Sequence, residues 1–513
     1  MNKLVLMGDF NLPNTDWQGP SRRTDAGAHH VLDLAATLDL MQFNSVTNFR
    51  GITLDLVFSS VPDTKVTRAL DLLLPEDRHH PALDIAISEA CSPPSRSTKF
   101  IPDFRRCNVD EVFRNLQAMN FPTSCVLQDV DGSYSLFSQY LTHLISQNTP
   151  MKKITTSSFP GWFSNELKTL VIKKKIAHRQ FKQTGNHTYL ELFRRLRSTC
   201  KTLASACHRD YIARVEESIP HNIKSFWTHV NNLKSNSAMP PKMALDDLEA
   251  YSPAGKCDLF AQHFSSVFCR ADISVPAFDF GWRAPLSQIS VSALDVETKL
   301  ANLDPTKGAG PDHIPPSVLK ICAPVLAAHL AILFNALLKS GVFPTALKQG
   351  FVVPIFKSGD RCNIKNYRPV VVQSTLAKVF ESLVIDQLYF YLKPYFTDRQ
   401  HGFLQGRSTI TNLLVFQEFV TSAFVSSCQV DCLYLDYCKA FDKVHHGLLV
   451  AKLAGYGVGG QLLDWLRSYL SDRELRVRCD GALSAVFPVL SGVPQGSLIA
   501  PLLFNVFVND IYK

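Results

Sequence analysis

One short segment constrains this chain more than any other: Asp431 to Leu453, DCLYLDYCKAFDKVHHGLLVAKL. Leu433-Tyr434-Leu435 read as a buried strand, Asp436 stands at its end, and helical spacing begins a few residues later. A strand that stops on an acid and turns into a helix sets a carboxylate at the mouth of a sheet. Such a carboxylate suits a hard divalent cation that also holds substrate phosphates, although a helix-capping acid shares the spacing. Asp442 lies past the strand end and reads as a structural acid at the helix start.

The chain is large enough to surround this segment with a core. It has 513 residues, 46% hydrophobic and 19% charged, which excludes a disordered chain and a small disulfide scaffold. That length suggests about three domains. The formal charge of +8 permits a polyanionic partner, so where the basic residues cluster matters more than their total. The 13 cysteines are odd in number and include no Cys-x-x-Cys pair, which favours reduced thiols inside a cell. Cys200 and Cys207 with His208, and Cys428, Cys432 and Cys438, are therefore expected to be buried free thiols rather than zinc ligands. No apolar run approaches the ~20 residues of a membrane span, and Met1 to Met7 is too short for a signal peptide. A soluble intracellular protein with no membrane partner is expected.

The opening reads as a strand, Lys3 to Met7, running into the polar turn Gly8-Asp9-Phe10-Asn11. Leu54 to Phe58, carrying Asp55, and Leu83 to Ile87, preceded by His79-His80-Pro81, read as further strands whose loops hold a site. Ser92 to Ser97 reads as a linker. Helical periodicity then dominates from Asn108 to Lys234. Within it, Lys168 to Lys182 and Arg194 to Arg214 are rich in Lys and Arg, the footprint expected of phosphate contact. Pro240-Pro241 ends that pattern, and a mixed α/β region follows from Val291.

Five strings in this last region stand in a telling order. They are Lys307-Gly308-Ala309-Gly310-Pro311-Asp312; the strand Phe351 to Lys357 followed by Asn366-Tyr367-Arg368-Pro369; Gln400 to Thr409; the Asp436 segment; and Ser491 to Ser497, a Pro-Gln-Gly turn leading into a helix from Leu502 to Ile511. Together they resemble the reverse transcriptase of non-LTR (LINE-like, jockey-like) retrotransposons, from about Ala293 onward. The resemblance implies a two-metal nucleotidyl transfer using Mg²⁺ or Mn²⁺, with an RNA template, a DNA target or primer and dNTPs as partners. It makes Asp436 the first catalytic carboxylate and the Tyr437 carbonyl a further metal ligand. It places the backbone of Lys439 and Ala440 around the triphosphate, Phe441 beneath the sugar, Lys357 and Arg368 as phosphate-clamping cations, and Gln495 against the incoming nucleotide. The family's later pair of aspartates and its thumb are missing from the sequence, so a truncated, inactive polymerase is expected.

The N-terminal strings resemble the C-terminal half of an endonuclease of the exonuclease–endonuclease–phosphatase fold. This resemblance assigns Asp9, Asn11, Asp55 and His79 to the attack on a phosphodiester. Arg78 departs from the family pattern, which has a carboxylate there. The implied fold class is α+β: polymerase fingers and partial palm (241–513), preceded by a linker and basic α-helical connector (91–240) and half of an α/β-sandwich endonuclease (1–90). The rival expectation is a non-catalytic nucleic-acid-binding remnant or an unexpressed reading frame. Localisation in cytoplasm and nucleus follows from the resemblance alone.

Overall fold

Val5–Asp9 forms strand β1, and its neighbours explain why this apolar run is a strand. The sheet order is β1-β3-β2, with β2 at Met41–Gln42 and β3 at Asp55–Ser59. β1 runs antiparallel to β3, and the register sets Asp9 directly across from Asp55. Helix Ala26–Thr37 lends Ala35 to the small core of Leu40, Leu56 and Phe58. Met7 and Met41 remain exposed. A separate hairpin pairs β4 (Thr64–Arg68) with β5 (Leu83–Ile87).

The computed structural model describes residues 4–511 apart from 16, 18–25, 71–75, 88–98, 120–128, 155–158, 234–238, 270–273 and 283. The expected linker Ser92 to Ser97 lies outside them. The chain divides into two interleaved units, Met1–Lys99 with Thr155–Leu233, and Phe100–Ile154 with Lys234–Lys513.

In the first unit, helices Asn165–Thr184 and His187–Ser218 form an antiparallel hairpin around Gly185, whose φ of 64° closes the C-terminus of the first helix. Ser164 and Asn186 cap the two N-termini. Ala177, Leu190 and Phe193 bury the seam, while Lys173, Lys175, Arg179, Arg195, Arg197 and Lys201 face solvent. The basic clusters thus lie on an exposed surface.

In the second unit, β6 (Lys99–Pro102) pairs with β7 (Met151–Ile154). Between them run helices Val109–Gln117 and Val130–Gln147, whose Val112, Leu116, Tyr134, Phe137 and Leu141 enter the large core. Residues 100–154 thus group with the C-terminal region, apart from the basic helices with which the sequence joins them. The sequence reads as one helical stretch from 108 to 234, but its first part carries an apolar stripe and its second part a basic surface. Helix Ala323–Ser340 is long and apolar enough to cross a membrane by length and composition. It is packed in this core, with Phe334 stacked on Phe380 at 4.2 Å.

The second sheet has the order β11 (Tyr367–Val372), β10 (Gln349–Phe356), β12 (Arg473–Cys479), β13 (Ala482–Leu483), with β14 (Phe487–Val489) also on β12. A small hairpin, β8 (Met243–Leu245) with β9 (Leu248–Ala250), precedes it. β10 is antiparallel to β11 and parallel to β12; β13 and β14 extend β12. β12 alternates buried and exposed residues, the period-two pattern of a half-covered strand. Helix Pro253–Ser265 covers one face, packing Cys257, Phe260 and Phe264 on Val352, Val371, Leu475 and Val477.

Two expectations fail in the segment before the site. Leu433-Tyr434-Leu435 form no strand and are 84%, 83% and 85% exposed. A strand exists only where a neighbour takes up its N–H and C=O groups, and no described strand lies beside this one. Cys428, Cys432 and Cys438, expected to be buried, are exposed for the same reason. The preceding helix, Thr409–Val425, buries none of its residues although Ile410, Leu413, Phe419 and Phe424 are apolar.

Candidate functional site

A cavity of about 530 Å³ opens where helix Pro253–Ser265, the second sheet, the turn after Asp436 and the loop 491–495 meet. Each element delivers a polar side chain for a local reason. The Lys357 N–H donates to Asn366 O (2.9 Å), closing the connection between β10 and β11, and Arg368 follows on β11 opposite Ile355. Lys365, in the same connection, is paired with Asp246 at 2.5 Å.

The turn after Asp436 is built on Lys439, a non-glycine residue at φ 54°. Its carbonyl accepts from the N–H groups of Asp442 (3.0 Å) and Lys443 (3.2 Å). The loop 491–495 is bonded onto this turn at four points. Val493 N donates to Phe441 O (2.8 Å), Gly492 N to Val444 O (2.7 Å), Ser491 Oγ to Asp442 O (2.7 Å), and His446 Nε2 to Gly492 O (2.8 Å). Gly492, at φ 88°, is required, because a Cβ there would stand 2.7 Å from Phe441 O. On its other side the loop accepts the Val371 N–H at Gln495 O (2.7 Å), and Gly496 (φ 126°) leaves no room for a Cβ against Val371 O.

The charges are uneven. Asp436 is exposed, whereas burial pushes the Asp442 carboxyl up to about 6, and Gln495 Nε2 lies 3.5 Å from both of its oxygens. Burial and then the Lys439 charge push His263 down to about 4; burial lowers Lys439 as well. Arg473 is 1% exposed and lines the cavity. Its Nη1 donates to Tyr469 O (3.0 Å), while Nε and Nη2 meet no acceptor among the described residues. Nearby, Glu381 is fully buried, accepts from Leu498 N (2.7 Å) and Tyr469 Oη (3.2 Å), and is raised by burial.

The cavity brings together Asp436, Tyr437, Lys439, Lys357, Arg368 and Gln495. Ala440 and Phe441 are not among its lining residues. The Phe441 ring stacks on Phe504 (4.6 Å) and meets Phe403 edge-on (6.0 Å), contacts that hold its orientation. Asp442 does not cap a helix; His445 does, before helix His446–Gly455. Sequence reading missed Lys365, His263 and Arg473. Each looks ordinary in the sequence: a connection lysine, a histidine on a helix, and the first residue of an alternating strand.

The donor set around Asp436 does not by itself fit a pair of divalent ions. Such ions take about six oxygen ligands each, and no described His, Cys, Asp or Glu trio includes Asp436. A trio does occur in the N-terminal unit: Asp9, Asp55 and His80. His80 Nδ1 lies 3.2 Å from Asp55 Oδ2 and Nε2 lies 3.8 Å from Asp9 Oδ2, and the Asp55 hydrogen bond raises the imidazole pKa. Asn11, at φ 48°, donates its N–H to Asp9 Oδ1 (2.9 Å). His79 stands apart, its ring edge-on to Phe49 at 5.0 Å. His80 rather than the expected His79 is the imidazole beside Asp55, because the turn anchored by His79 N–H on Asp77 Oδ1 (2.8 Å) presents the second ring of the pair.

Residues 355–513 match the family described as reverse transcriptase (RNA-dependent DNA polymerase). Over 415 residues the chain is 25% identical to "RNA-directed DNA polymerase from mobile element jockey" of Drosophila melanogaster, covering 75% of this chain and 43% of that protein. The protein of the same description from Drosophila funebris is 22% identical over 414 residues, again 75% of this chain and 43% of the relative. "Probable RNA-directed DNA polymerase from transposon BS" of Drosophila melanogaster is 30% identical over 236 residues, 44% of this chain and 25% of that protein. The chain spans less than half the length of these relatives. Residues 355–513 are thus similar to the reverse transcriptase domain, and the similar proteins are described as RNA-directed DNA polymerases of mobile elements.

Proposed function

We propose that the cavity of the second unit is the nucleotide-binding part of a template-directed RNA-dependent DNA polymerase, with dNTPs as substrates and an RNA template and DNA primer as partners. The observation that carries this reading is the convergence of Lys357, Arg368 and Lys439 with Asp436 and Gln495 on one cavity, inside a segment that matches the reverse transcriptase family. Lys357 and Arg368 take the triphosphate, each charge-assisted contact contributing about 1.5–3 kcal/mol. Gln495, its carbonyl fixed by Val371, borders the space for the incoming base and sugar. Polymerases of this family generally depend on a divalent metal, which supplies a polarised primer hydroxyl and a neutralised leaving group. Asp436 and the Tyr437 carbonyl are the donors these residues offer to it.

A polypeptide of these 513 residues is then a nucleotide binder that extends no primer, because the acids gathered around Asp436 do not complete a two-metal site. Calorimetric titration with dGTP and Mg²⁺ tests the binding. Micromolar to millimolar affinity that Arg368→Ala weakens about tenfold is expected. Primer extension on a poly(rA) template that Asp436→Asn abolishes would overturn the inactivity.

A second reading has its own observation. We infer that residues 1–99 are the remnant of a phosphodiester-cleaving endonuclease, because Asp55 orients His80 and both stand beside Asp9, the set a phosphate-directed site needs. No nicking of supercoiled DNA is expected from the chain. Nicking that His80→Ala removes would show a working site instead.

A further inference from the structure

The Lys439 side chain is tethered in an unusual way. The residue is exposed, on a turn whose left-handed backbone is locked by two hydrogen bonds to its own carbonyl. A lysine so placed ordinarily sweeps through solvent and gives up rotamer entropy when held. Here its Nζ lies 3.3 Å from Nε2 of His263, a residue 8% exposed on helix Pro253–Ser265, and both residues line the cavity.

An ammonium has donors and no acceptor, so the imidazole must accept through Nε2 and carry its proton on Nδ1. Burial of His263 favours that neutral form, as its lowered pKa of about 4 reflects. The neutrality has a consequence for charge. Lys365, the other lysine of this wall, is neutralised by Asp246 at 2.5 Å. Among the described residues no carboxylate makes an ion pair with Lys439, although Asp442 contributes attraction from farther off. A neutral acceptor therefore fixes the direction of the ammonium, leaves its charge uncompensated, and leaves two of its three donors for a ligand.

We propose that the Lys439 ammonium is a phosphate-binding cation of the cavity and that His263 is the positioning residue that aims it. This deepens the nucleotide reading above and rests on it. The ligand class is a polyphosphate, and the contribution of Lys439 goes beyond the backbone role that its place in the sequence motif suggests. A purely structural strap between helix and turn would hold the same two atoms together but would leave phosphate affinity unchanged when cut.

The test is calorimetric binding of inorganic tripolyphosphate, with Mg²⁺, to the full chain and four variants. Lys439→Met and Arg368→Ala should each weaken binding about tenfold or more, the loss of one charge-assisted contact. His263→Leu should cost about three- to tenfold, and His263→Gln, which keeps an acceptor, should stay within about twofold of the parent. If Arg368→Ala loses affinity while Lys439→Met does not, the inference falls and the nucleotide reading stands. If neither variant loses affinity, or the parent does not bind tripolyphosphate, the nucleotide reading falls with it. Equal losses in His263→Leu and His263→Gln would overturn the positioning role. Should His263→Leu fail to melt cooperatively, Lys439→Met, whose side chain lies on an exposed residue, and His263→Gln decide the matter.

Discussion

The turn 439–446 and the stretch 409–437 stand next to each other in the chain and could hardly differ more. The turn is bonded to the loop 491–495 at four points, carries a half-buried acid and a half-buried imidazole, and meets in that loop a glycine that tolerates no side chain. The stretch before it is richer in leucine, phenylalanine and valine, yet it buries no residue of helix Thr409–Val425 and pairs no strand at Leu433 to Leu435. Hydrophobicity alone therefore does not place a segment in a core. A surface of matching shape must also be available. In the turn, directional hydrogen bonds to a nearby loop supply that match.

The comparison can be broken most severely from beneath the loop. Glu381→Leu removes the acceptor of Leu498 N and a buried carboxyl that interacts with the Arg473 charge, and should cost about 3–5 kcal/mol in urea unfolding. Gly492→Ala forces a Cβ against Phe441 O at positive φ and should cost about 2–3 kcal/mol, read as a lower melting temperature.

Asp442→Asn works in the opposite direction. The folded carboxyl is raised to about 6 from 3.8, so the folded state holds its proton more tightly than the unfolded chain does. The wild-type chain then loses stability as pH rises through 6, by up to about 3 kcal/mol before solvent screening. The variant should melt higher than wild type at pH 8 and match it at pH 4.

The smallest effect on stability should come from the other side of the comparison. Leu413→Glu with Phe419→Glu changes only exposed side chains and should alter unfolding free energy by less than about 0.5 kcal/mol. The same pair should sharply reduce self-association in sedimentation velocity, since that helix exposes many apolar side chains. A large loss of stability instead would mean that the helix is covered in solution.

What could be read in advance follows the same divide. Arg368, Asp436 and Gln495 sit in strings whose order along the chain singled them out, and the cavity gathers all three. The strand Phe351 to Lys357 was readable from its own apolar run because β11 and β12 are present to flank it. Leu433 to Leu435 carry an equally good strand pattern, but pattern reports capacity and pairing requires a partner. His79 and His80 differ by one position in a turn, and only the hydrogen bond from His79 N–H to Asp77 decides which imidazole reaches Asp55. His263 lies far from Lys439 in the chain, and no local signal links a core histidine to a turn lysine. The stacking of Phe441 on Phe504 was equally illegible, because the partner ring belongs to a different helix and the pair forms only when the chain folds back.

The interleaving of the two units also matters while the chain is being made. Helices Val109–Gln117 and Val130–Gln147 leave the ribosome with their apolar stripes bare, and much of their cover, helix Ala323–Ser340, follows roughly 180 residues later. At 5–20 residues per second that interval is about 10–40 s. Through it, Phe137 and Leu141 are a natural handle for a holdase chaperone, and the yield of recombinant chain should depend on one more than its final stability would suggest.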